Sequence, residues 1–239
     1  MKEKPIIFSA PMVMAILDGK KCMTRRIVKP QPERQDNGCW YWKNTAWNIA
    51  QISDLSPLDI SLYQVGMRLW VRERIDNRPE NGNFYYHADN KGVGEDVFKL
   101  LLDAGKSHKK SIPSVFMPRW ASRITLEITD VKIERLQDIT EEDAINEGVE
   151  YLFSKDDLKT VAGLRNYKQE EMGFKNYLWH GCAKGKVMQK WNHQYSSYSN
   201  AIGSFSSLWQ YLNYKRGYGW DTNPWVWAIS FKRANSETD

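Results

Sequence analysis

The segment that most restricts the fold is residues 122–136, SRITLEITDVKIERL. Ile124, Leu126 and Ile128 alternate with polar residues, and Val131 and Ile133 resume the alternation with its phase shifted at Thr129-Asp130, as a bulge or turn would shift it. A period of two over this length predicts a strand with one buried face, which needs a sheet to lie in. Four further segments read as strands: PIIFS at 5–9, RLWVRER after Gly66, FYYHAD at 84–89 and the terminal NPWVWAISFKR at 223–233. The last is too short and too apolar to stand alone, so it must pair within the main sheet.

Helical patterns are fewer. Met12, Val13, Ile16 and Leu17 repeat at three and four after Ser9, a candidate cap, and Pro11, which a first turn tolerates; Gly19 supplies the stop. Val97 to Leu102 is a short apolar patch. Thr140 followed at three by Asp143 resembles a capping box opening a helix over 141–147 that Gly148 closes, and Phe205, Leu208, Trp209 and Leu212 mark an amphipathic helix. Short strands with few helices predict an α+β domain built as a small mixed β-barrel with flanking helices.

With 239 residues, 41% hydrophobic and 26% charged, the chain fits a single domain spanning 1–239. Its core covers about 5–30, 64–150 and 205–233, interrupted by insertions at about 31–63 and 152–202. No stretch is apolar enough to cross a bilayer, and Pro5, Ser9, Pro11 and Asp18 break the N-terminal apolar run, so no membrane partner and a cytoplasmic location are expected. Three cysteines without C-x-x-C spacing and four scattered histidines predict neither disulfides nor a metal site, and no cofactor signature is present.

Charge is distributed unevenly. From Lys20 to Arg34 six basic residues stand against Glu33, which equals the net charge of the whole chain, +5. In 155–200 eight lysines and arginines outnumber four acids and interleave with aromatic residues, a composition that suits a path for single-stranded RNA or DNA, a partner surface or a lid.

The run Ile16-Leu17-Asp18-Gly19-Lys20-Lys21-Cys22-Met23-Thr24-Arg25-Arg26 resembles the helix-then-G-x-K-x-x-T-x-R signature of ASCH domains, a branch of the PUA-like superfamily. Residues 66–73, 140–147 and 225–231 are similar to that family's later strand, acidic helix and last strand, although Met67 replaces the usual acidic turn residue. With MPRWASRI the arrangement is similar to longer ASCH proteins of phages and prophages. The resemblance implies a PUA-like barrel. It also implies a pocket for a nucleoside or modified base in which Lys21, Thr24 and Glu147 match the catalytic residues of bacterial N4-acetylcytidine amidohydrolases.

That chemistry is coherent for these residue types. Amide hydrolysis needs a nucleophile, here Thr24, a base to deprotonate it, Lys21 with its basicity lowered by burial and by Arg25 or Arg26, and a proton donor to the leaving amine, Glu147. The same three side chains can instead read a base edge by hydrogen bonds, with Arg25 and Arg26 on phosphates, which makes the protein a non-catalytic RNA- or DNA-binding module. Arg72 and Tyr86 complete the expected substrate contacts, and Trp70 and Trp120 are candidates to stack on a base. A third reading has a phage-encoded chain binding a host protein through the tryptophan-rich insertion.

Overall fold

Residues 122–136 become the longest described strand, Thr125–Arg135, in which Leu126, Ile128 and Val131 are buried and Thr129 is exposed, so the change of phase falls at Thr129-Asp130. The computed structural model describes residues 3–34, 40–42, 45–47, 63–78, 83–105, 111–149, 174–175, 197–198 and 200–234. In chain order the strands are β1 (Glu3–Ile7), β2 (Met23–Ile27), β3 (Glu33–Arg34), β4 (Trp40–Trp42), β5 (Thr45–Trp47), β6 (Arg68–Arg72), β7 (Ile75–Arg78), β8 (Asn83–Tyr86), β9 (Ser111–Ile112), β10 (Thr125–Arg135), β11 (Phe174–Lys175), β12 (Ser197–Tyr198) and β13 (Trp225–Arg233). The helices are α1 (Ala10–Leu17), α2 (Glu95–Asp103), α3 (Glu141–Asn146) and α4 (Ala201–Asn213).

Among the described residues the expected closed barrel is not formed. The main sheet has five strands in the order β1-β6-β10-β13-β2, with β1 and β2 as its edges, and three smaller sheets pair β3-β4-β5, β8-β7-β9 and β11-β12. The fold is therefore mixed α+β with open sheets. Closure requires strand number, tilt and stagger to agree around a ring, and alternation within one strand carries no information about that agreement. Here β6 is parallel to β1 and antiparallel to β10, and the terminal strand β13 lies inside the sheet instead of at its edge.

Local chemistry sets the element ends. Gly19, just beyond α1, takes φ of +72°, open to glycine without the clash a side chain would bring. Ser9 occupies the N-cap position of α1, but its side chain makes no capping bond; its carbonyl accepts from Val13 instead. Thr140 and Asp143 complete a capping box at the start of α3. At α4 the Asn200 side chain accepts from the Gly203 amide and Glu141 accepts from the Ala201 amide, so two otherwise orphaned donors are satisfied. Phe205 and Trp209 of α4 are buried, whereas Leu212 is exposed.

The chain divides into two compact units, one of Met1–Cys22, Ser56–Val131 and Ile229–Asp239, the other of Met23–Leu55 and Lys132–Ala228. The first unit contains a core of Ile75, Phe84, Tyr86, Leu101, Ile112, Met117 and Ala121. The second is built on Leu136, Ile139, Ala144, Val149, Ala201, Phe205, Trp209 and Val226. Most of the expected insertions at 31–63 and 152–202, including the basic-aromatic segment 155–200, lies outside the described residues.

Candidate functional site

In the second unit, β2 carries Thr24 and Arg25, both buried. The Arg25 guanidinium is surrounded by carboxylates from two other elements. Its Nε donates to Glu134 Oε1 at 2.9 Å, its Nη2 to Asp143 Oδ2 at 2.8 Å, and its Nη1 reaches Glu147 Oε1 at 3.5 Å. The side chain has no solvent exposure and lies 5.9 Å from the Phe205 ring. Such an ion is tolerable in the interior only when its donors are paired. Burial pushes the Glu134 carboxyl above its ordinary range, over the opposing attraction of Arg25. Glu147 caps the C-terminal end of α3 and is 5% exposed. Arg26, next on the strand, is half-buried.

Lys21 belongs to the first unit. It leaves α1 with its amide bonded to the Ala15 carbonyl, is 3% exposed, and holds its ammonium 5.7 Å above the Phe8 ring.

The first unit also contains the other expected contact residues. Arg68, Trp70 and Arg72 share one face of β6, since side chains two apart on a strand point the same way. The Arg72 guanidinium stacks 4.5 Å from the Trp70 ring centroid and Arg119 lies 6.0 Å from it. Arg72 Nη1 donates to the Val115 carbonyl at 3.1 Å, while its buried Nε has no hydrogen-bond partner among the described residues. Trp120 is 39% exposed on a short 3-10 turn, Arg119–Ala121. Tyr86 is placed in the core: its hydroxyl donates to the Ala121 carbonyl at 3.0 Å, the Arg123 guanidinium lies 3.9 Å from its ring, and burial pushes its pKa up to about 12.

Sequence reasoning missed the partners of these residues. Glu134 and Asp143 are 109 and 118 positions from Arg25, and no local spacing links either to it. Arg123 was likewise unmarked, yet it pairs in bidentate fashion with Glu73 (2.8 and 2.9 Å) and Asp89 (2.8 and 3.0 Å). Burial disfavours the Arg123 charge, but these pairs more than offset it and hold its pKa above the ordinary value.

Among the described residues no group of histidine, cysteine, aspartate and glutamate is arranged to hold a metal ion, and no helix is long and apolar enough to cross a membrane. No protein-family model and no curated protein matches the chain. Among solved structures the chain is similar to the crystal structure of an ASCH domain from Lactobacillus crispatus JV V101, at 10% identity and a TM-score of 0.35, over 97% of this chain and 79% of that one.

Proposed function

We propose that the protein is a non-catalytic RNA- or DNA-binding module. The observation that carries the reading is the Trp70–Arg72–Arg119 stack beside the exposed Trp120. A guanidinium held over an indole is positioned at little entropic cost and brings its charge to a phosphate beside a stacked base. Arg25 and Glu147, by contrast, are committed to a buried charge network with Glu134 and Asp143, which is a structural use of both side chains.

Binding of a short labelled oligonucleotide tests the reading. Affinity is expected to fall linearly with the logarithm of salt concentration, and Arg72→Ala to flatten that slope by about the 0.7 units of one single-strand phosphate contact. Absence of binding at low salt would remove the reading.

A second reading, hydrolysis of an N4-acylated cytidine, draws on the burial of Thr24 and Glu147 in the second unit, at 4 and 5% exposure, because glutamate rarely loses so much water. Acetate release from N4-acetylcytidine that Thr24→Ala abolishes would favour it; an inert parent chain would favour the binding module.

A further inference from the structure

Residues 113–122 leave three large apolar side chains in water: Val115 at 51%, Phe116 at 68% and Trp120 at 39% exposure. The backbone that carries them is tied down. Met117 and Ala121 are buried anchors, and two 3-10 turns, each entered from a proline, close with the bonds Phe116 N–H to Pro113 O and Ala121 N–H to Pro118 O. Strand residues fix it: Tyr86 of β8 donates to the Ala121 carbonyl and Arg72 of β6 to the Val115 carbonyl, while the segment's own Ser122 hydroxyl donates to the Val71 carbonyl of β6. At its end, Arg123 is held by both carboxylates of Glu73 and Asp89. The backbone of this segment is held by these bonds, so Phe116 and Trp120 are carried at set places on the surface. Apolar surface kept in water by a rigid frame marks a binding position.

The neighbouring sheet face supplies the sign of the partner's charge. Register places Glu3 beside Arg68 on β1 and β6, and Glu127 beside Arg68 on β10. Arg119 pairs with Glu3, and Lys232 with Glu127. Among the described residues Arg68, Arg72, Arg119 and Lys232 outnumber Glu3 and Glu127 on this part of the sheet and its flank, an excess of positive charge beside the exposed aromatic side chains. Aromatic faces next to cations suit bases whose own faces are free and whose phosphates lie close by, which is the chemistry of single strands; a duplex hides its base faces in its stack.

Resting on the nucleic-acid reading above, we infer that Phe116 and Trp120 are stacking positions for the bases of single-stranded nucleic acid, with Arg72 beside them for the backbone. The full chain is titrated with one labelled oligonucleotide, free and annealed to its complement. Single strand is expected to bind more tightly than duplex. Phe116→Ala and Trp120→Ala each weaken single-strand binding by about tenfold or more, and Trp120→Phe, which keeps a ring, retains most of the affinity. Both positions are exposed, and an unchanged thermal midpoint checks that the fold is intact. A chain that binds no oligonucleotide removes the binding-module reading and this inference with it. A chain whose affinity falls in Arg72→Ala yet is unchanged in Phe116→Ala and Trp120→Ala, or that binds duplex as tightly as single strand, overturns this inference alone.

Discussion

Nη2 of Arg25 stands 2.7 Å from Oε1 of Glu134, joining β2 to β10 across 109 positions of sequence. The same guanidinium meets Asp143 and Glu147 of the α3 region, so one cation ties a strand, a second strand and a helix together without a water-exposed atom of its own. Three carboxylates around one guanidinium leave an excess of negative charge, which the partial exposure of Glu134 and Asp143, at 19 and 24%, relieves.

Removing the cation therefore costs more than removing one anion. Arg25→Met leaves three carboxylates facing one another and is expected to lower stability by about 3–5 kcal/mol in urea unfolding. Glu134→Gln, which deletes one excess charge and keeps an acceptor, costs less, and Arg25→Lys recovers only part because a point ammonium cannot bridge three partners. Equal urea midpoints for Arg25→Met and the parent would show that the network does not hold the second unit.

The first unit responds to acid through Asp89. Burial alone would raise this carboxyl, but hydrogen bonds from Arg123 and the Lys91 amide outweigh it and hold it below the usual range. On acidification the unfolded chain takes up this proton first, so stability falls as pH drops through the ordinary aspartate value and is gone below the lowered native one. Asp76, held down by His87 and Arg74 against its burial, and Glu3, held down by Arg119, act in the same direction. Glu134 acts oppositely, its raised native pKa favouring the fold as it protonates. Asp89→Asn should be less stable near neutrality yet show a flatter loss between about pH 5 and pH 2. A slope identical to the parent's would exclude Asp89 as a source of acid sensitivity.

At the alkaline end the relevant group is Tyr86. Its pKa of about 12 means that the native state keeps its proton while the unfolded phenol loses it near 10, so stability declines as pH rises between those values. In a spectrophotometric base titration one tyrosine should lag behind the exposed ones. Tyr86→Phe abolishes that lag and, by leaving the Ala121 carbonyl without its donor, costs about 1–3 kcal/mol. A titration curve that Tyr86→Phe leaves unaltered would contradict the assignment.

What could be read from the chain divides along a physical line. The phase shift in β10, the Thr140–Asp143 box and the stop at Gly19 depend on residues within a few positions, and each was legible. In RLWVRER, Leu69, Trp70 and Val71 are all buried although successive side chains point to opposite faces, so both faces of this interior strand are covered by segments that its own sequence does not reveal. Closure of the sheet was misjudged for the related reason that stagger between distant strands leaves no trace in one strand's pattern. Lys21, Thr24, Arg25 and Glu147 were singled out, and all four are buried, but the carboxylates that surround Arg25 arrive from remote segments. Phe116 gave no signal because exposure of an apolar residue depends on the tertiary frame, not on its neighbours in sequence.

A last prediction concerns Gly219, which opens the 3-10 turn Trp220–Thr222 after α4. Its φ of −61° is available to any residue, so backbone strain is not the reason that glycine is needed. Space is. A Cβ here would stand 2.8 Å from Gln210 Oε1 and 3.3 Å from Tyr214 Cδ2. That Gln210 oxygen accepts the Trp220 amide proton at 2.7 Å, and the Trp220 ring in turn packs against Phe205 of the core. Gly219→Ala should push the Gln210 amide away, strip Trp220 of its acceptor and cost about 1–3 kcal/mol. Gln210→Ala removes the same acceptor by another route. The double variant should therefore lose less stability than the sum of the two single ones, because the displaced contact can be lost only once. Strict additivity in urea unfolding would place the clash elsewhere, with the Tyr214 ring as the remaining neighbour within reach.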